Sequence, residues 1–163
     1  MPKSLSKMKD YLKDPFVMNE DTVNIAVYNF LNSVGCDCSE PLKGRSQGVD
    51  VQGEKNGWSI YVESKGSHAN DADDDTVFGQ GQIKVHTYVQ VGKLMEYQTE
   101  NEDNRLFVMA NPDIPRIRKR VNSVISSINK LGFIQFWVQE DSTIKIENPE
   151  QLNETLISLG LKK

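Results

Sequence analysis

The fold is decided between residues 48 and 66, which read GVDVQGEKNGWSIYVESKG. An Asn-Gly pair favours a two-residue type I′ turn, because that turn needs a positive φ at both central positions. Asn56 and Gly57 stand between two stretches in which apolar and polar residues alternate. This alternation is typical of half-buried strands. We therefore expect a β-hairpin whose register is set by the turn at Asn56 and Gly57.

The register of this hairpin brings acidic side chains together. A two-residue loop makes Lys55 oppose Trp58, and by the same count Asp50 opposes Glu63. Side chains two residues apart share one face of a strand, so Lys65 lies on the face of Glu63. Two directly opposed carboxylates repel each other. A divalent cation would relieve the repulsion, since hard cations bind carboxylate oxygens, whereas a one-residue bulge would separate the two acids.

The motif formed by Asp50, a hairpin and then Glu63-Ser64-Lys65 resembles the PD-(D/E)XK phosphodiesterase superfamily, which has the restriction-endonuclease-like fold. This triplet is the only acid-x-Lys sequence in the chain. The proline that often precedes the aspartate in that superfamily is absent, and Gly48-Val49 stands in its place. The resemblance covers residues 19–147 and implies a three-layer α/β fold, in which helices flank a central mixed β-sheet.

The resemblance also implies an activity, that of a metal-dependent nuclease that hydrolyses DNA phosphodiester bonds with Mg²⁺ or Mn²⁺. Asp50 and Glu63 would bind the metal, together with the backbone carbonyl of Ser64. Members of the superfamily often place a metal-contacting acid on the first helix, and Glu20 is the candidate here. Glu20 could equally do no more than complement the dipole at a helix start. Lys65 would orient the attacking water or stabilise the transition state as a point charge.

Many members of the superfamily carry a glutamine on the helix after the acid-x-Lys strand, near the metal or the substrate phosphate. Gln80 or Gln82 would fill that place and complete the catalytic set, although the usual tyrosine four residues later is missing. The alternative is an ordinary polar helix face. His68, which is close in sequence to the motif, either assists proton transfer or is a loop histidine.

Three segments follow from the patterns along the chain. Residues 1–18 form a basic N-terminal segment with a short helix over 4–12, residues 19–147 form the nuclease-like core, and residues 148–163 form a short C-terminal helix. Within the core, the patterns predict a helix between Asn19 and Gly35, a strand over 36–39, the hairpin, a helix over 78–97, a strand over 105–110, a helix over 117–131, and strands over 133–139 and 143–146.

Strands that alternate with helices late in the chain imply parallel pairing there, while the hairpin is antiparallel, so we expect a mixed sheet. The helix over 78–97 is expected to bury one apolar face. That face would consist of Val85, Tyr88, Val89 and Met95.

Basic residues crowd the first turn of the helix that precedes Gly132. They are Arg116, Arg118, Lys119 and Arg120. Cations at a helix start oppose the helix dipole, so local helix stability does not explain them. They either contact DNA phosphates, with Lys84 as a further contact, or form a solvated basic face.

The composition indicates which broad class of protein the chain belongs to. The chain has 163 residues, of which 37% are hydrophobic and 26% charged, as in a globular domain. No apolar run approaches the ~20 residues of a membrane span, and residues 1–14 lack the apolar centre of a signal peptide. We therefore expect a cytoplasmic protein without a membrane partner. A net charge of −4 argues against a broadly basic surface but allows a local basic patch.

Other interpretations stay open at the level of sequence. A catalytically inactive nuclease-like module would only bind nucleic acid or a protein partner, with its carboxylates idle. A different enzyme or an assembly protein would carry the hairpin acids as solvated side chains. The sequence also leaves open whether the protein forms a homodimer and which structure of DNA is its substrate.

Overall fold

The computed structural model describes residues 3–4, 14–40, 48–71, 76–100 and 103–163. The strands, in chain order, are β1 (Lys3–Ser4), β2 (Asp37–Cys38), β3 (Val51–Lys55), β4 (Trp58–Ser64), β5 (Thr76–Val77), β6 (Arg105–Pro112), β7 (Phe133–Val138) and β8 (Ile144–Glu147). The helices are α1 (Glu20–Ser33), α2 (Gln80–Thr99), α3 (Pro115–Asn122), α4 (Ile125–Leu131) and α5 (Asn153–Ser158), the last of which follows a 3₁₀ turn at Glu150–Leu152. The helix predicted over 4–12 lies outside the described residues apart from Ser4, which belongs to β1.

The hairpin between β3 and β4 has the predicted register. Lys55 opposes Trp58, and Val51 opposes Val62. The turn residues Asn56 and Gly57 have φ angles of 50° and 83°, as a type I′ turn requires. No bulge interrupts this ladder, so the count that places Asp50 opposite Glu63 holds.

The central sheet has six strands in the order β2-β3-β4-β6-β7-β8. Strands β4, β6 and β7 pair in parallel, while the strands at both edges pair antiparallel. The mixed sheet expected from the sequence is therefore confirmed. The short strands β1 and β5 form a separate two-stranded antiparallel sheet.

Helices cover both faces of this sheet, and each face has its own hydrophobic core. One core joins α1 and α5 to alternate residues of the strands, among them Ile60, Val62 and Val108. The other joins α2, α3 and α4 to the intervening residues, such as Phe107 and Trp137. The protein is thus a three-layer α/β domain. Among the described segments, no helix is both long and apolar enough to cross a membrane.

The helix predicted after Asn19 is confirmed as α1. The Asn19 side chain accepts a hydrogen bond from the Thr22 amide at 2.8 Å, which caps the helix. At the other end the Lys55 ammonium donates to the carbonyls of Val34 (2.5 Å) and Leu159 (2.6 Å). One lysine of the hairpin therefore holds the C-terminal ends of α1 and α5.

The apolar face predicted for α2 is not the face that packs on the sheet. Val85, Tyr88, Val89 and Met95 are exposed, with 57% of Val85 accessible to solvent. The face that packs on the sheet consists instead of Ile83, Thr87, Gln90 and Leu94. Gln90 belongs to this buried face because its side chain meets hydrogen-bonding partners on the sheet.

The single helix predicted over 117–131 is two helices. The chain turns at Ser123 and Val124, where the Ser123 hydroxyl donates to the Arg120 carbonyl at 2.6 Å. Val124 leaves the helical region of backbone conformation, with φ −128° and ψ 16°. The apolar stripe continues across this break, since Val121 and Ile128 pack in the same core, so periodicity alone could not reveal it.

Two of the basic residues predicted to contact DNA have protein partners. The Arg116 guanidinium is buried and donates to both oxygens of Asp14, at 2.6 and 2.7 Å, and to the Phe78 carbonyl. Arg118 pairs with Asp113 and Glu147 and lies over the Trp137 ring at 4.4 Å. The buried ion pair of Arg116 with Asp14 argues against a phosphate contact at Arg116, and Arg118 already pairs with two carboxylates.

A substitution at Arg116 tests this structural role. Arg116→Met should lower the free energy of unfolding by about 3 kcal/mol, because it leaves the buried Asp14 carboxylate without its partner. Lys119→Met, on the exposed side of the same helix, is the control and should change stability by less than about 0.5 kcal/mol. Urea denaturation measures both. Equal effects of the two substitutions would show that the Arg116 pair contributes nothing.

Candidate active site

Strand β4 directs Glu63 toward α2. Ile60 and Val62 pack in the core under α1, while Tyr61 packs on the opposite face. Alternation along the strand therefore gives Glu63 the face of Tyr61. The side chain of Glu63 is fully buried, at 0% exposure, beside the point where β4 ends.

Asp50 lies against the end of the same strand. It stands one residue before β3, opposite Glu63 in the continued register. Its Oδ2 accepts a hydrogen bond from the backbone amide of Ser64 at 2.8 Å, which fixes the carboxylate against the backbone of the motif. The structure thus brings together the two acids that the sequence paired.

Glu20 reaches this point through close backbone contacts between the segment after β4 and the start of α1. The Ser67 amide donates to the Met18 carbonyl at 2.8 Å, and the Met18 amide donates to the Ser67 hydroxyl at 3.0 Å. A Cβ on Gly66 would lie 2.6 Å from the Glu20 nitrogen. Only glycine allows this approach, and it carries the first residue of α1 to the motif.

Lys65, two residues after Glu63, lines a small cavity. The cavity has a volume of about 120 Å³, and Glu20, His68 and His86 also line it. The charge of Lys65 opposes the rise in the Glu20 pKa. Burial, and then the nearby Lys65 charge, lower the pKa of His86. The charge of Lys65 is therefore close enough to act on both Glu20 and His86, which line the same cavity.

Helix α2 forms the roof over Glu63. The Lys93 ammonium lies 3.9 Å from Glu63 Oε2. Tyr97, one turn further along, interacts with the same carboxylate, and its ring stacks on Tyr61 at 6.2 Å. Lys93 and Tyr97 were not identified from the sequence. Lys93 lies three residues after Gln90, and Tyr97 four residues after Lys93, which places all three on one helix face.

Gln90 fixes the position of α2 above the sheet. Its side-chain amide donates to the carbonyl of Glu63 at 2.8 Å and to that of Ala110 at 3.2 Å. The Asn111 side chain donates to the Gln90 oxygen at 3.3 Å. These buried bonds join α2 to two neighbouring strands at the position of the acids, so the helix cannot shift without breaking them.

Electrostatics in the site favour protonated acids when no cation is present. Burial, and then the charge of Asp50, raise the pKa of Glu63 to about 8, while Lys93 partly offsets the shift. Burial and Asp50 also raise the pKa of Glu20. Within the described chain, neither oxygen of the Glu63 carboxylate accepts a hydrogen bond of normal geometry. The desolvation cost of an ionised Glu63 is thus only partly offset by neighbouring charges and hydrogen bonds.

The predicted glutamines take other positions. The Gln82 side chain accepts a hydrogen bond from the Gly79 amide at 2.9 Å and caps α2. Gln80 is exposed and lines a separate cavity of about 260 Å³ with Arg116, Lys119 and Arg120. Neither glutamine joins the acids. The glutamine that contacts the motif is Gln90, which lies ten residues beyond Gln80 along α2.

The donor set suits a hard cation that needs few protein ligands. Among the residues that the structure describes, no group of three or more His, Cys, Asp or Glu side chains is arranged to hold a metal ion. Mg²⁺, however, usually binds through one or two carboxylates and keeps several waters. The buried oxygens of Glu63, which accept no hydrogen bond of normal geometry within the described residues, and the adjacent Asp50 fit such an ion.

Three kinds of comparison relate the chain to known proteins. No family model matches the chain, and no curated protein sequence matches it. Among solved structures, an FdxN element excision controlling factor protein from Anabaena variabilis is similar, with 19% identity and a TM-score of 0.48. The match covers 80% of this chain and 99% of that one.

The raised pKa of Glu63 predicts how stability depends on pH in the absence of metal. The folded protein retains a proton that the unfolded chain releases, because the pKa rises from 4.5 to about 8 on folding. The contribution of Glu63 to the free energy of unfolding should be greatest below about pH 4.5. It should fall by roughly 3–5 kcal/mol as the pH rises through 8. Denaturation in a chelator between pH 5 and 9 (approximate limits set by these pKa values) measures the decrease.

Glu63→Gln should remove most of this pH dependence, because the amide stays neutral. Glu154→Gln, at an exposed position of α5, is the matched control and should keep the slope of the parent. If Glu63→Gln and the parent lose stability equally, the buried carboxyl is not the group that titrates.

Proposed function

We propose that the protein is a metal-dependent nuclease of the PD-(D/E)XK type that hydrolyses DNA phosphodiester bonds. The observation that carries the proposal is the meeting of Asp50, Glu63 and Glu20 with Lys65 at the end of one strand. These residues come from β4 and the residue after it, the residue before β3, and the start of α1. A buried, poorly compensated carboxylate beside a second acid is costly to fold, and this supports a role in binding a cation.

Each residue has a distinct role in the proposed reaction. Asp50 and Glu63 would hold Mg²⁺ or Mn²⁺, with the Ser64 carbonyl as a further ligand. The bound ion would lower the pKa of a coordinated water and neutralise charge on the scissile phosphate. Lys65 would orient the attacking water or stabilise the charge of the transition state. Glu20 would accept hydrogen bonds from the hydrated ion or hold a second ion.

The structure leaves fewer basic residues available for contacts with DNA than the sequence suggested. Lys119 and Arg120 line the cavity of about 260 Å³ with Gln80. Phe78 connects this cavity to the acids, since it lines the smaller cavity beside Lys65 and its carbonyl binds Arg116. A DNA strand could therefore pass from the acids to Lys119 and Arg120. Lys84, exposed on α2, remains a candidate contact.

Two substitutions in the motif separate chemistry from metal binding. Lys65→Ala should lower the rate of DNA cleavage by ~10²–10³, because it removes a preorganised positive charge from the transition state. It should leave Mn²⁺ affinity near or above that of the parent, since a neighbouring cation repels the metal. Glu63→Gln should lose both Mn²⁺ binding and cleavage. A panel of duplex, branched and single-stranded DNA, with calorimetric titration of Mn²⁺, measures these effects.

The nuclease assignment fails if both variants cut DNA as fast as the parent, because the cleavage would then come from elsewhere. If the parent binds Mn²⁺ and DNA but cuts no member of the panel, a second function replaces that of a nuclease. In this case the protein is an inactive nuclease-like module that binds nucleic acid or a protein partner. One observation favours it: the described residues contain no group of three or more ligating side chains arranged around a metal position.

Salt dependence tests the proposed phosphate contacts. Lys119→Met and Arg120→Met should each weaken DNA binding and reduce the slope of log affinity against log salt by roughly 0.9 for each phosphate that the side chain neutralises. Fluorescence anisotropy with a labelled duplex in Ca²⁺ or chelator measures the slope without cleavage. Lys130→Met, an exposed lysine on α4, is the control. Slopes that match the parent in all variants would assign Lys119 and Arg120 to a solvated basic face.

A further inference from the structure

Lys93 is a cation at the proposed metal site that the acid-x-Lys motif does not include. Its ammonium lies 3.9 Å from Oε2 of Glu63, whose side chain is at 0% exposure, while 47% of the Lys93 side chain is exposed. Lys93 therefore extends from the solvent side of α2 across the buried carboxylate.

The ammonium of Lys93 acts on more than one acid. It lowers the pKa values of both Glu63 and Glu20, against the larger effect of burial. These two carboxylates come from different layers of the fold, so a charge that affects both lies near the point where they converge. A divalent ion held by the acids would occupy the same region.

An ammonium and a divalent ion repel each other strongly at such short distances. Two unit charges 4 Å apart interact by roughly 4 kcal/mol at the effective dielectric of a protein surface, and a divalent ion doubles the charge on one side. Lys93 is free to move because its side chain is flexible and half exposed. Gln90, on the same helix face, is fixed by buried hydrogen bonds, so the displacement need not move the helix.

We propose that Lys93 is a displaceable cation: it partly neutralises Glu63 in the metal-free protein and moves away when a divalent ion binds. The inference rests on the metal site of the proposed function. Once displaced, the ammonium stands at the solvent side of the acids, where a phosphate of the substrate would approach. Lys93 thus differs from Lys65, which lies in the cavity beside Glu20 and His86.

Amine labelling of the unaltered protein tests the displacement directly. A low concentration of an acylating reagent is added with and without Mg²⁺ at about pH 9, where Glu63 is largely ionised, and mass spectrometry follows the rate of modification at each lysine. Mg²⁺ should raise the rate at Lys93 by about threefold or more, because the ammonium loses its ion pair, while the rate at exposed Lys84 on the same helix stays constant. No change at Lys93 in protein that binds Mg²⁺ would overturn the proposal and leave the metal site intact.

Metal affinity provides the second test. Lys93→Met should tighten Mg²⁺ binding by about tenfold in a calorimetric titration near pH 9, since the methionine keeps the stem but removes the competing charge. At that pH Glu63 is largely ionised in the parent, so the change does not act mainly through its proton. Lys130→Met, at an exposed position of α4, is the control and should leave the affinity unchanged. Weaker or equal binding by Lys93→Met would overturn the proposal, and a parent that binds no Mg²⁺ would remove both this inference and the metal site.

Discussion

The register between β3 and β4 is the constraint on which both the sheet and the site depend. The turn at Asn56 and Gly57 fixes it, because few residues adopt positive φ at two successive positions without strain. A slip of one residue would turn Val62 toward α2 and Glu63 toward the core under α1. The parallel pairing of β4 with β6 extends the same register into the centre of the sheet. The same register therefore turns Glu63 toward α2 and the apolar side chain of Val62 toward the core under α1.

The site is held by close packing against the backbone of the motif and hydrogen bonds to it, rather than by attraction among its charged groups. Gly66 lets the start of α1 approach the motif, and Gln90 joins α2 to the carbonyls of Glu63 and Ala110. Carboxylates that repel one another could not hold such an arrangement by themselves. The rigid surroundings hold Glu63 in place although its carboxylate oxygens accept no hydrogen bond of normal geometry within the described residues. This is the preorganisation that a cation site needs, since the protein bears the cost of assembling the charges on folding.

The parts of this structure that follow from local sequence could be predicted, and those that depend on distant partners could not. Asp50, Glu63 and Lys65 are related by a short turn, so counting residues placed them. The approach of Glu20 depends on Gly66, 46 positions away, and no local pattern contains that contact. The position of Arg116 opposes the helix dipole and makes it a candidate for a phosphate contact or a solvated basic face, but its partner Asp14 lies 102 positions earlier in the chain. Apolar periodicity misplaced the buried face of α2, because Gln90 is buried for its hydrogen bonds and not for its hydrophobicity.

The energetics of Glu63 bear on whether the site is active or idle. An idle site has no use for a buried acid, and exchanging it for a neutral group of similar shape would remove an unfavourable burial energy. The surroundings of Glu63 make that exchange easy, since its backbone carbonyl, and not its carboxylate, accepts the hydrogen bond from Gln90. Neither the sheet register nor the roof formed by α2 requires a charge at this position. The carboxylate is thus a cost that the fold does not need, and binding of a cation would offset it directly.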